Sequence, residues 1–115
     1  MYLTIPIKPL SINAAFQGRR FKTKVCKDFE KELFYLIPKN LKGVMGFVSI
    51  NYKLHLKNWK MTDGDNAIKV MQDVIVKCGL IEDDRKIMRY LIEKIPSEKD
   101  YVEIIIESFG KEGGR

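Results

Sequence analysis

The stretch that decides the fold is residues 46–57, GFVSINYKLHLK, in which apolar and polar residues alternate. The apolar positions are Val48, Ile50, Tyr52, Leu54 and Leu56. Successive side chains of a β-strand point to opposite faces, so the alternation predicts a half-buried strand with a polar, partly basic outer face. We expect the apolar face to pack against one or both of the helices that the neighbouring sequence predicts.

Those two helices are predicted from apolar residues that recur every three to four positions. The first spans residues 22–36 and is ended by Pro38, which cannot continue a helix. The second spans residues 66–78 and is followed by Gly79, a residue common just after helix C-termini.

Shorter signals complete the chain. A strand is predicted over residues 2–7, and residues 8–20 have the composition of a polar, partly basic loop. Residues 86–95 and 101–109 predict two strands joined as a hairpin by the turn at 96–100. The order β-α-β-α-β-β predicts an α+β fold, with two main helices packed on a mostly antiparallel sheet.

Length and composition set the class of protein. A chain of 115 residues with 45% hydrophobic and 31% charged residues is expected to form one folded domain, over residues 1–110, with a flexible tail over 111–115. The sequence lacks an apolar run long enough to span a membrane, and its first residues do not resemble a signal peptide. Two cysteines without CxxC spacing favour a reduced, cytoplasmic protein.

Charge is distributed unevenly along the chain. Residues 1–60 carry 12 basic and 3 acidic residues, whereas residues 61–115 carry 9 basic and 12 acidic ones. A basic half suits nucleic-acid phosphates and an acid cluster suits a hard cation, although an unevenly charged solvated surface explains the same counts. The candidate DNA-binding residues are Arg19, Arg20, Lys22, Lys57 and Lys60.

The first candidate site is Asp63-Gly64-Asp65-Asn66, at the start of the second helix. Asp65 is expected as the N-cap residue, and Gly64 lets the backbone bend so that both carboxylates can face one point. The same four residues are also ordinary turn and cap chemistry, so the motif alone does not decide between a cap and a metal site.

A second acidic stretch, Glu82-Asp83-Asp84, follows the helix. An extended segment running back from Gly79 could bring Asp84 toward Asp63 and Asp65, although a solvated acidic loop is the alternative. If the three carboxylates meet, their repulsion favours a divalent cation such as Mg²⁺, which can activate water beside a phosphodiester.

Lys69 and Asp73 follow on the second helix at intervals of four residues. Lys69 could stabilise negative charge at a phosphate, or it could form a surface ion pair with Asp73. Two weaker candidates are His55, expected to be solvated or to contact phosphate, and Trp59, which could stack on a base or cover the core.

These residues together closely resemble the signature of RusA-type Holliday junction resolvases. The resemblance rests on Asp63-x-Asp65-Asn66-x-x-Lys69 followed by Asp73, Gly79 and the pair Asp83-Asp84. It extends to the opening strand and to Pro9-x-Ser11-x-Asn13-x-x-Phe16, and so covers nearly the whole chain.

The resemblance implies a small homodimeric endonuclease, often encoded by a prophage, that acts in DNA recombination and repair. Such an enzyme binds four-way DNA junctions and makes paired symmetric nicks with Mg²⁺ or Mn²⁺. It implies that Asp63, Asp65 and Asp84 hold the metal, that Lys69 is an accessory catalytic residue, and that Asp83 matches the pattern without a defined role. One departure is the segment 57–62, KNWKMT, where the family has an arginine-rich run.

Two main functions remain open from the sequence, and a third hypothesis is a phage adaptor that binds other proteins. The first is a metal-dependent, structure-selective DNA endonuclease, which needs three carboxylates around one ion. The alternative is a non-catalytic nucleic-acid-binding module of phage origin, in which the basic half binds DNA while Asp63 and Asp65 only cap a helix.

Overall fold

The structure, a computed structural model, describes residues 1–17 and 21–109. The predicted tail, 111–115, lies outside these ranges. The elements are β1 (Tyr2–Ile5), α1 (Ile12–Ala15), β2 (Phe16–Gln17), β3 (Phe21–Lys22), α2 (Lys24–Leu36), β4 (Val48–Leu56), α3 (Gly64–Lys77), β5 (Ile87–Pro96) and β6 (Tyr101–Ser108), with 3₁₀ turns at Trp59–Met61 and Asp84–Lys86.

Four strands form the main sheet in the order β1-β6-β4-β5. The β1–β6 and β6–β4 pairs are antiparallel, but β4 and β5 are parallel. The α+β class is confirmed, and the sheet is mixed. The predicted hairpin is wrong because β4 lies between β5 and β6. The connection between them crosses the end of β4, where Ser97 N donates to Leu56 O at 3.0 Å and Lys57 N donates to Asp100 Oδ1 at 2.9 Å.

The predicted face of β4 is confirmed as the centre of the core. All five of its apolar side chains are 2% exposed or less. Helices α2 and α3 cover this face with their own apolar stripes, which centre on Leu33 and Met71. The buried Tyr52 hydroxyl donates to Gln72 Oε1 of α3 at 2.9 Å, which ties the central strand to the helix that carries the acid motif.

The segment predicted as a loop, residues 8–20, contains more structure than its composition indicates. It includes α1 and β2, and β2 pairs with β3. Thr23 joins this region to α2, because its Oγ1 accepts from Cys26 N at 3.2 Å and donates to Ala14 O at 2.9 Å. Threonine is a good N-cap residue, which explains why α2 begins at residue 24.

The chain returns from α3 by crossing the loop before β4. Val44 N donates to Leu80 O at 2.9 Å, and Val44 forms an isolated parallel bridge with Ile81. The crossing is tight, since a Cβ on Gly43 would lie 2.0 Å from the carbonyl oxygen of Gly79. Gly79 itself has φ 77°, a left-handed conformation that glycine adopts readily. This crossing places the Asp83-Asp84 segment beside α3.

Candidate active site

Asp63 and Asp65 lie together at the N-terminus of α3. Asp63 is the N-cap residue and Asp65 lies in the first turn, so the prediction that Asp65 is the N-cap is wrong. The helix begins at Gly64, which packs closely on β5: a Cβ there would lie 3.1 Å from Ile92 Cγ2. Asp63 Oδ2 accepts a hydrogen bond from Asn66 Nδ2 at 3.2 Å, which orients its carboxylate.

The two carboxylates interact directly. A hydrogen bond with the Asp65 carboxyl group raises the pKa of Asp63, and desolvation and the Asp65 charge raise it further. The same hydrogen bond lowers the pKa of Asp65, with a further contribution from the Lys69 ammonium. Paired carboxylates resist joint ionisation, and Mg²⁺ commonly uses one or two carboxylates with waters and phosphate oxygens. The donor set at this helix end therefore fits a small divalent cation.

Asp83 and Asp84 form a second acidic pair. Asp83 caps the 3₁₀ turn, accepting from Arg85 N at 2.9 Å, and it forms an ion pair with Arg85 Nη2 at 3.0 Å. These contacts hold the pKa of Asp83 well below its usual range. A hydrogen bond with Asp83 raises the pKa of Asp84, and the negative charge of Asp73 adds to the effect.

The acidic candidate residues therefore interact as two pairs, Asp63 with Asp65 and Asp83 with Asp84, and the charge of Asp73 also acts on Asp84. Within residues 1–17 and 21–109, no three acidic, histidine or cysteine side chains form a group suited to one metal ion. The predicted Asp73 ion pair with Lys69 or Lys77 does not occur among the described residues.

A small cleft between α3 and β5 lies beside Asp65. It has a volume of about 240 Å³, and Asp65, Lys69, Gln72 and Tyr90 line it. Gln72 Nε2 donates to the Tyr90 hydroxyl at 3.3 Å. Sequence reasoning missed Gln72 and Tyr90 because β5 was expected to pair with β6, and only its parallel pairing with β4 sets Tyr90 beside α3.

A second cleft opens on the Asp63 side of the same helix end. It has a volume of about 410 Å³ and lies between α3 and residues 8–11, with Lys8, Met61, Asp63 and Asn66 in its walls. The acid pair therefore stands between two clefts, one lined by a lysine from the N-terminal segment and the other by Lys69.

The basic segment before Asp63 is held by Lys94 of β5. Lys94 Nζ donates to the carbonyl oxygens of Trp59 and Thr62, at 3.0 and 2.8 Å. Lys57 and Lys60 are exposed, and the Lys60 ammonium lies 5.5 Å from the centre of the Trp59 ring, which is 38% exposed. These contacts fix the position of the KNWKMT segment next to the acid pair.

The remaining basic candidates lie elsewhere. Lys22 forms an ion pair with Glu30 at 2.7 Å, which raises the pKa of Lys22 and offsets its charge. Arg19 and Arg20 lie outside the described residues.

His55 has a different environment from the one expected. Its side chain is 12% exposed, bonds to Glu103 and stacks on Tyr101 with ring centroids 4.0 Å apart. Glu103 also accepts a hydrogen bond from the Tyr2 hydroxyl. The expectation of a solvated or phosphate-contacting histidine is therefore wrong, because β6 supplies both partners of His55 on the outer face of the sheet.

The helices of the described residues are all too short or too polar to cross a membrane. Fold and site together define the class broadly, as a small α+β domain with an exposed carboxylate pair set beside basic residues. The model of the family Endodeoxyribonuclease RusA matches residues 11–107. The chain therefore belongs to the RusA endodeoxyribonuclease family, which confirms the resemblance and implies Holliday junction resolvase activity on branched DNA. No curated protein matches the chain.

Proposed function

We propose that this protein is a divalent-cation-dependent endonuclease that resolves four-way DNA junctions by paired symmetric nicks. The observation that carries the proposal is the exposed Asp63–Asp65 pair, with Lys69 one turn further along α3, inside the segment matched by the family. A four-way junction has two-fold symmetry, so paired symmetric nicks need two matched sites.

Asp63 and Asp65 would hold Mg²⁺ or Mn²⁺, and we retain Asp84 as a third metal-binding residue. When bound, the cation supplies water activation and offsets charge on the scissile phosphate. Asn66 holds the Asp63 carboxylate in place, and Lys69 places positive charge beside Asp65, where it can stabilise charge that develops on the phosphate. Asp84 is included because of the family resemblance, since its own interactions in the structure are with Asp83 and with the charge of Asp73.

DNA binding is assigned to the basic residues around the acid pair. Lys57 and Lys60 lie on the segment that Lys94 ties down, and Trp59 offers an exposed ring on which a base can stack. Lys22, Arg19 and Arg20 remain proposed contacts further along the DNA. The family resemblance supports a role in DNA recombination and repair, often for a prophage, and the two unpaired cysteines support a cytoplasmic location.

A homodimer is supported by the exposed edge of β5. This strand forms one edge of the sheet, is ten residues long and carries three half-exposed apolar side chains, Met88, Tyr90 and Leu91. A long strand edge with exposed apolar side chains is a surface for pairing with another chain. We propose that a second copy covers this edge.

The alternative is a non-catalytic nucleic-acid-binding module. It is favoured by one observation, that among the described residues no three acidic, histidine or cysteine side chains form a group suited to one metal ion. In that case Asp63 acts only as the N-cap of α3.

A nicking assay on a synthetic four-way junction in Mg²⁺ separates the two functions. We expect symmetric nicks from the wild-type protein, and a loss of about 100-fold or more for Asp63→Asn, because a lost ligand removes both effects of the cation. The control is Asp28→Asn, an exposed aspartate of α2 that pairs with Lys24 and is expected to cut normally. Calorimetric Mn²⁺ titrations of Asp65→Asn and Asp84→Asn show whether both residues bind the ion. Wild-type nicking by Asp63→Asn would support the binding module.

A further inference from the structure

A groove between α2 and α3 lies away from the acid pair. It has a volume of about 400 Å³, and the side chains of Phe34, Val74 and Cys78 give it an apolar surface. Phe34 is 47% exposed, although it is a large aromatic residue. Val74 follows Asp65 by nine residues, or about 13 Å along α3, so an occupant of the groove would leave the acid pair accessible.

The rim of this groove is strongly basic. Lys27, Lys31 and Lys77 line it and are exposed. Its one carboxylate, from Glu30, is paired with Lys22 at 2.7 Å. Among the described residues, the ion pairs leave Lys27, Lys31 and Lys77 without a carboxylate partner.

A fourth lysine lies next to the groove at its aromatic end. The Lys39 ammonium lies 3.5 Å from the centre of the Phe34 ring and also donates to the Phe34 carbonyl oxygen. Its charge reaches the Cys78 thiol at the other wall, where it opposes the rise in pKa that burial causes. The apolar floor is therefore surrounded by positive charge.

We propose that this groove binds an acidic segment of a partner protein that inserts one aromatic or large aliphatic side chain between α2 and α3. Carboxylates of the segment would pair with the lysine rim, which supplies charge complementarity, while the inserted side chain would cover Phe34 and Val74. A DNA backbone would satisfy the rim but offers no apolar group for the floor. The lining residues also lack amide and hydroxyl side chains that could read the edge of a base.

The test uses fluorescence anisotropy with a short fluorescein-labelled peptide of aspartate and glycine that ends in phenylalanine. We expect binding to the full chain that weakens as salt is added, and about tenfold weaker binding when the terminal phenylalanine is replaced by serine, equivalent to ~1.4 kcal/mol. This comparison changes only the peptide, so it is independent of the folding of any variant.

Protein variants then locate the site. Lys31→Glu and Lys77→Glu are each expected to weaken peptide binding by about tenfold, because each reverses one charge of the rim. The matched control is Lys99→Glu, an exposed lysine in the connection between β5 and β6, which is expected to bind the peptide as the wild type does. Junction nicking by the Lys31 and Lys77 variants should stay at the wild-type rate.

Three results would each overturn the proposal. The first is equal affinity for the phenylalanine and serine peptides, and the second is equal peptide affinity of the Lys31→Glu and Lys99→Glu variants. The third is a loss of junction affinity in Lys31→Glu and Lys77→Glu as large as the loss of peptide affinity, which would make the groove a DNA contact. Peptide binding is measured without DNA or metal, so absence of nuclease activity leaves this test intact.

Discussion

At the scale of single residues, the contacts of Lys69 allow its proposed role in nicking to be tested directly. Lys69 lies on the same face of α3 as Asp65, lowers the pKa of that carboxyl group and lines the cleft shared with Tyr90. A lysine in this position can act on the metal-binding residue, on the phosphate, or on both. The two roles make different predictions for a truncated side chain.

We predict that Lys69→Ala binds junctions and Mn²⁺ but nicks about 100-fold more slowly in single-turnover experiments, because a charge that stabilises the transition state is lost. The control is Lys99→Ala, which removes an exposed lysine from the connection between β5 and β6. A normal nicking rate with weakened Mn²⁺ binding would instead assign Lys69 to supporting the carboxylate pair.

At the scale of elements, the crossing of the two loops is the least tolerant part of the fold. Gly43 and Gly79 meet backbone to backbone, and the returning chain leads from here to Asp84. We predict that Gly43→Ala lowers the free energy of unfolding by ~3 kcal/mol, because a methyl group would lie 2.0 Å from a carbonyl oxygen that cannot rotate away. Urea denaturation measures the change.

Gly46→Ala provides a comparison for the Gly43 variant. Gly46 has φ 76°, but a Cβ there would meet no other atom within 4 Å. The expected loss is about 1 kcal/mol, from backbone conformation alone. Similar losses for the two variants would show that the crossing adapts to a larger side chain.

The contacts of Glu103 on the outer face of the sheet predict that the stability of the protein depends on pH. Hydrogen bonds from Tyr2 and then His55 lower the pKa of Glu103 below its ordinary value of 4.5. A lowered folded-state pKa stabilises the protein above the ordinary value, and this stabilisation is lost as the pH falls through the lowered one.

We therefore predict that Glu103→Gln lowers the Tm at pH 7, and that the difference from wild type shrinks as the pH falls below about 4.5. Thermal denaturation followed by circular dichroism over pH 3–7 measures this. The control is Glu107→Gln, an exposed residue of the same strand and face. A difference that is constant over the pH range would contradict the assignment.

At the scale of the whole molecule, the exposed edge of β5 determines how two copies can associate. We predict that Leu91→Lys converts the proposed dimer to a monomer, because it places a charge on the strand edge, as proteins that avoid edge pairing do. Analytical ultracentrifugation at micromolar concentration gives the mass. Val25→Lys is the matched control, since Val25 is an exposed apolar residue on α2.

The two variants should also differ in the assay on junctions. Loss of the dimer is expected to separate the two nicks in time, so that Leu91→Lys releases mostly singly nicked junctions. A wild-type protein that sediments as a monomer with and without DNA would remove both the dimer and this interface.

Local sequence patterns were sufficient for the long elements, whereas the short elements α1, β2 and β3 were not predicted. The alternation in β4 predicted its buried face, and the spacing of apolar residues predicted α2 and α3 to within two residues at each end. These patterns are reliable because the side chains that create them lie on one continuous element and share one periodicity. The same spacing predicted that Asp63, Asp65 and Lys69 lie at the start of α3, whereas their role as an active site comes from the family resemblance and stays a prediction.

Which strands and side chains contact one another was decided only by the tertiary structure. The insertion of β4 between β5 and β6, the placement of Tyr90 beside α3, and the contacts of His55 with Glu103 and Tyr101 all depend on contacts between residues far apart in the chain. A turn such as 96–100 is compatible with a hairpin or with a crossing over a third strand, because its residues specify the bend and not the neighbour. Local periodicity therefore determined which residues face inward, and only the packing of the whole chain determined which of them meet.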